Sequence, residues 1–140
     1  MGTFIANAPF MQEFVYDFDV SGGAQGAINL GDATGGPGDL PDGAVLTHFY
    51  GIVETAVTSG GSGTIILGTT DDTNGFIEIT AKTAIDAQFD IIGGALATGQ
   101  PQCNDAASRD VLMTIATADL TAGKIRFVAV GFMPSSLNGL

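Results

Sequence analysis

Apolar and polar residues alternate with a period of two along much of the chain. From Gln12 to Val20, Phe14, Tyr16, Phe18 and Val20 point one way, and Glu13, Val15, Asp17 and Asp19 the other, the pattern of a half-buried strand. Ser21-Gly22-Gly23 breaks it, since paired glycines suit a turn. A second short run, Gly26 to Leu30, carries Ile28 and Leu30 on one face. From Gly31 to Gly43 the turn signals Gly35-Gly36-Pro37-Gly38 and Pro41-Asp42-Gly43 predict a loop.

Ala44 to Ser59 is the longest apolar segment, rich in β-branched and aromatic residues that fit a pleated surface. Val45, Thr47, Phe49, Gly51, Val53, Thr55 and Val57 lie on one face, and Leu46, His48, Tyr50, Ile52, Glu54 and Ala56 on the other. Gly51 reads as a bulge or bend. Gly60-Gly61-Ser62-Gly63 leads into Thr64 to Thr69, and this pair of segments predicts a hairpin. Phe76 to Phe89 fits a short helical segment near 76–87, with Ala81, Ala84 and Ala87 favouring it, while Ile77, Ile79 and Ala81 would equally serve a short strand; Phe89 to Ile92 allows a further strand. Gly93 to Ser108 reads as a second long loop. Asp110 to Thr117 and Lys124 to Phe132 alternate again, and the turn signal Asp119 to Gly123 between them predicts a second hairpin. About seven or eight strands at such spacing predict an all-β fold, an antiparallel β-sandwich that is jelly-roll-like.

The predicted organisation is an apolar N-terminal arm over 1–12, a sandwich domain over 13–133 and a short tail over 134–140. A chain of 140 residues suits one such domain. Charge changes the picture more than length does. Only 14% of residues are charged, and 15 acidic residues against 4 basic ones leave a net charge of −11. Soluble domains average about 25% charged residues, so the surface is covered by Thr, Ser, Asn and Gly, hidden in an assembly, or both. Disordered chains are poor in apolar residues, and 45% here are hydrophobic, which argues against that class. Direct nucleic-acid binding needs clustered cations, and Lys82, Arg109, Lys124 and Arg126 are all there are.

The chemical inventory is thin, and the expectation is no enzyme and no cofactor. His48, the one histidine, lies within the longest strand. Cys103 lies in a loop with no neighbouring base and allows no intrachain disulfide. No G-x-S-x-G elbow or P-loop spacing occurs. Asp17 and Asp19 are expected on one strand face, as paired acids would be in a glycosidase, but there is no Trp to stack a sugar. Asp71-Asp72-Thr73-Asn74 and Asp32, Asp39 and Asp42 could offer oxygen ligands to Ca²⁺; they depart from the ligand order of a calcium loop, and Asp serves turns in its own right. No metal site is expected. No run approaches the ~20 apolar residues of a membrane helix. The first residues lack a signal peptide's cationic start, and Ala6 stands where myristoylation wants Ser or Thr, so synthesis in a cytoplasm without export is expected.

The uncharged segment Thr3 to Met11 is the candidate partner site, with Phe4, Ile5, Pro9, Phe10 and Met11 as contact residues, because an exposed apolar terminus is costly unless docked. It could lie on its own sandwich or reach a neighbour.

Phe14-Val15-Tyr16-Asp17-Phe18 with Gly22-Gly23-Ala24, Leu40 to Thr47, Thr58 to Thr64 with Leu67-Gly68, and Ala118 to Lys124 together resemble small virion proteins of tailed bacteriophages, of the capsid decoration or cement type. The resemblance runs over most of Phe14 to Val130. It implies β-sandwich subunits, commonly homotrimers, seated on the outside of the head lattice and bound to the major capsid protein, with no catalytic residues. The second functional reading is a tail- or fibre-associated adhesin domain that binds host surface glycan.

Overall fold

The structure, a computed structural model, describes residues 8–30, 40–41, 43–98, 102–103 and 110–133, with backbone alone at 102–103. Among the described residues nine strands form two antiparallel sheets: β1 (Ala8–Asp17), β2 (Gly26–Asn29), β3 (Val45–Ser59), β4 (Thr64–Gly68), β5 (Ile77–Ala81), β6 (Ile91–Ala95), β7 (Gln102–Cys103), β8 (Leu112–Ala116) and β9 (Leu120–Met133). The first sheet has the order β1-β9-β3-β6, with β7 also pairing β3, and the second β2-β8-β4-β5. The all-β antiparallel sandwich expected from the alternation is therefore the fold.

Both expected hairpins are corrected. β3 and β4 lie in different sheets, as do β8 and β9, so each connection is an arch from one layer to the other. Among the described strands only β4–β5 and β6–β7 follow one another within a sheet. The turn before β9 also moves: Thr117 takes a positive φ of 73, and β9 begins at Leu120. Gly123, φ +136, lies inside β9, beside the shifts between Thr55, Thr58 and Ser59 in the pairing with β3, so it serves a strand irregularity instead of a turn.

Three local expectations change as well. The first strand ends at Asp17, and Phe18–Ser21 form one helical turn, α1, capped by Gly22, whose N–H donates to the Phe18 carbonyl at 2.8 Å. At its other end the strand reaches back to Ala8, pairing as far as Met133. The short helical segment is a 3-10 turn over Lys82–Ala84, preceded by β5. The segment after Phe89 includes β6, whose Gly93 and Gly94 adopt positive φ, so part of the expected loop is strand. Gly51 keeps regular register with Phe127. A Cβ there would meet the Phe127 ring at 2.8 Å and Ile92 at 2.9 Å, so glycine answers a packing demand and not a bend.

The core lies between the sheets. Phe14 and Tyr16 of β1, Leu46, Phe49 and Val53 of β3, and Ile125 and Phe127 of β9 face Ile65 and Leu67 of β4 and Met113 and Ile115 of β8. The Phe49 ring stacks on Phe76 at 4.8 Å and on Phe127 at 5.8 Å, joining the layers through an aromatic cluster. Tyr16 is fully buried and donates its hydroxyl to the Gly22 carbonyl at 2.9 Å, which ties α1 to the core.

Candidate interaction surface

The outer face of the first sheet follows from register. Residues that alternate away from the core line up in rows across β1, β9 and β3: Met11, Val130 and His48; Glu13, Val128 and Tyr50; Val15, Arg126 and Ile52, the last opposite Ile91 of β6. An antiparallel sheet usually sets polar residues on its outer face. Here the centre is apolar. Met11, Tyr50, Ile52, Ile91, Val128 and Val130 line a shallow depression of about 300 Å³, and Met11 and Ile91 are 73% and 68% exposed. The His48 ring stacks almost parallel on Tyr50, centroids 5.9 Å apart, which fixes the tyrosine on this face. Its Nδ1 lies 3.0 Å from the Thr47 hydroxyl. Beside Ile91, the turn into β6 holds Phe89 at φ 74 with three quarters of its surface exposed, a conformation that disfavours bulky side chains.

A charged strip borders the apolar centre. Arg126 donates from Nε and pairs through Nη2 with Glu54 Oε1, and through Nη1 with Glu13 Oε2, at 2.6 Å in each case. Lys124 approaches Glu54 Oε2 at 3.4 Å. The hydrogen bond from Arg126 holds the Glu54 carboxyl below its ordinary pKa against the opposing effect of burial, and the two glutamates raise that of Arg126. Arg126 and Lys124 thus offset Glu13 and Glu54 on this face, with Asp17 opposite Lys124 in register at the end of the strip. Among the described residues the only other cation is Lys82, on the 3-10 turn.

Of the expected contact residues, Phe4 and Ile5 lie outside the described residues. Pro9 and Met11 are exposed on β1, and Met11 joins the apolar centre, while Phe10 packs against the core. Tyr50, Ile52, Val128, Val130 and Ile91 are not among the expected contact residues. The signal was available in β3, where both alternating sets are apolar, as in a strand covered on both faces.

The acid pairs behave as turn residues. Asp17 ends β1 and accepts the Asp19 N–H at 3.0 Å as an N-cap, so the two do not share a strand face. They border a second depression of about 310 Å³ with Phe18, Thr55 and Lys124. The Asp72 carbonyl accepts from Thr69 and Gly75, its N–H donates to the Thr69 hydroxyl, and Asn74 donates to Glu78. Asp32, Asp39 and Asp42 lie outside the described residues. No group of three or more His, Cys, Asp or Glu that could hold a metal occurs among the described residues, and no described helix is long and apolar enough to cross a membrane. Cys103 pairs with Val45 through its backbone.

No protein-family model matches the chain, and no curated protein matches it. Solved structures do. A chain of the cyanophage Pam1 capsid asymmetric unit superposes with a TM-score of 0.65 at 16% identity, covering 96% of this chain and 91% of that one. A chain of the acid-stable capsid of Helicobacter pylori bacteriophage KHP30 does so with a TM-score of 0.63 at 16% identity, covering 94% and 93%. Both share the fold over more than nine tenths of each chain.

Proposed function

We propose that the chain is a non-enzymatic structural protein of a phage virion, a decoration or cement subunit that binds the major capsid protein on the outside of the head lattice and stabilises it, as a homotrimer. The observation that carries this reading is the likeness over more than nine tenths of both chains to components of two phage capsid structures. A match covering nearly all of each partner favours a separate small subunit over a domain within a larger shell protein. The face of the first sheet supports it: an apolar, charge-balanced surface of side chains, suited to contact with protein.

A cement subunit needs a rigid body, a complementary footprint and many copies, and multivalent attachment multiplies weak contacts. A subunit that binds an expanded lattice better than a compact one stabilises the expanded state by mass action. Of the expected contact residues, Phe4, Ile5 and Pro9 belong to this proposal as the part that reaches the shell, since Phe10 packs against the core and Met11 joins the apolar centre. Removing residues 1–7 spares the β1–β9 pairing, which begins at Ala8, and so tests the arm without touching the sandwich.

The test is cosedimentation of the purified protein with phage heads that lack it, before and after expansion, with tails and host cell-surface glycan as parallel arms. Saturable binding to expanded heads, weakened by loss of residues 1–7, is expected. Binding confined to tails or glycan would replace this reading with an adhesin domain, and binding to nothing phage-derived would overturn it.

A further inference from the structure

We infer that the outer face of the first sheet is where one copy of this chain meets a second copy. The inference rests on the reading of the chain as a self-associating subunit and assigns that association to a surface.

Size is the first argument. Strands lie about 4.8 Å apart and rise about 3.3 Å per residue. Three strands, β1-β9-β3, followed over the eight residue steps between the Pro9–Phe132 and Asp17–Lys124 rows, with β6 alongside for the four steps from Ile91 to Ala95, make a face of roughly 440 Å² in projection. A surface studded with side chains exposes more than its projection, which puts this one at the small end of the ~600–1,000 Å² that each partner buries in a standard interface. It also has the composition of an interface centre, with Tyr, Met and aliphatic residues inside and ion pairs at the border.

Charge selects the occupant. Each copy carries −11, so two copies repel through most of their surfaces. Asp17 and Asp19 stand at the Lys124 end of the strip, whereas Asp71, Asp72 and Glu78 belong to the β4–β5 segment of the other sheet. A cationic partner would be drawn to those acidic loops. A like-charged partner approaches at least cost where Arg126 and Lys124 offset Glu13 and Glu54, and a second copy is such a partner. The exposed Phe89 and Ile91 at the β6 edge extend the same apolar ground, and exposed aromatics are frequent anchors of contact.

The experiment is light scattering with size-exclusion chromatography on the full chain and three variants. Ile91→Glu alters a side chain that is already 68% exposed, so folding is spared. Val128→Glu places a charge at the centre of the face. Ile79→Glu, on β5 of the other sheet, is the control, since Ile79 is 72% exposed. The natural chain is expected at a multiple of 14.2 kDa. Ile91→Glu and Val128→Glu are expected to weaken association about 30-fold or more with unchanged circular dichroism, and Ile79→Glu to leave it intact. Should Val128→Glu fail to fold, Ile91→Glu carries the test. A natural chain that stays monomeric at every concentration overturns the inference, as does an oligomer that ignores Ile91→Glu or is dissociated only by Ile79→Glu. Adding heads separates the two claims. An Ile91→Glu oligomer that no longer binds heads sinks this inference and keeps the proposed function, whereas a natural oligomer dissociated by Ile91→Glu that never binds heads does the reverse.

Discussion

At the scale of single residues, two positions that constrain the core are a tyrosine with a polar tip and a glycine with no side chain. Burial is the main cause that pushes the Tyr16 hydroxyl up to about 12, with a smaller contribution from the Asp17 charge. The native state therefore holds this proton where the unfolded chain, with its tyrosine near 10, has released it. Stability contributed by the neutral phenol is complete below pH 10 and declines as pH rises towards 12, by about 2–3 kcal/mol in all. Tyr16 and Tyr50 are the only tyrosines, so in a Tyr50→Phe background tyrosinate absorbance should report Tyr16 alone, rising only as the protein unfolds. Tyr16→Phe should remove that alkaline decline and cost about 1 kcal/mol at neutral pH, because the Gly22 carbonyl loses its donor. Chemical denaturation across pH reads both effects. Gly51→Ala is expected to destabilise by about 1–3 kcal/mol, the usual cost of overpacking, since the added methyl meets Phe127 and Ile92 below 3 Å. An unchanged denaturation midpoint would mean that those side chains yield freely.

Among the elements, β3 and β9 form the spine of the first sheet, and the ion pairs that cross it are modest in energy. Glu54 keeps its proton off below its ordinary 4.5 because Arg126 hydrogen-bonds it and Lys124 lies nearby. A lowered carboxylate adds stability above the unfolded value, and this is lost as pH falls through the native one. Glu54→Gln should therefore cost less than about 1 kcal/mol at pH 7, as partly exposed pairs do. The difference from the natural chain should vanish in strong acid and shrink in about 1 M salt, both measurable by urea denaturation. The long strands were legible in the sequence because alternation is a local property: Phe14 and Tyr16, or Ile125 and Phe127, announce their own faces. Which sheet a strand joins is not local. Gly60 to Gly63 would serve an arch or a hairpin equally, so β3–β4 and β8–β9 read as hairpins when each in fact crosses between layers. Phe18 and Val20 continue the alternation by coincidence, although Asp17 caps a helical turn there. Pro9 and the uncharged residues around it looked like an arm, yet Ala8 to Met11 belong to an edge strand, where proline is tolerated. The interaction face was half legible: Met11 stood among the expected contact residues, but Tyr50 and Val128 come together only through pairing across β3 and β9.

For the whole molecule, low charge density and strong acidity act in opposite directions. Few charges leave an apolar sheet face uncovered, which favours association, while −11 on each copy opposes it. The balance depends on ionic strength, because the screening length falls from about 30 Å at 0.01 M to about 8 Å at 0.15 M. The first length is comparable to the molecule, so nearly all its charges act between neighbours; the second confines repulsion to groups near the contact, where Glu13 and Glu54 are already offset by Arg126 and Lys124. Apolar burial itself does not weaken with added salt. Association is therefore expected to strengthen as salt is raised over this range, the opposite of a complex held by charge attraction. Sedimentation equilibrium at several salt concentrations measures it. If association weakened with salt, ion pairs between copies would be its main support, and Arg126 and Lys124 would be reaching across to a neighbour instead of neutralising their own sheet.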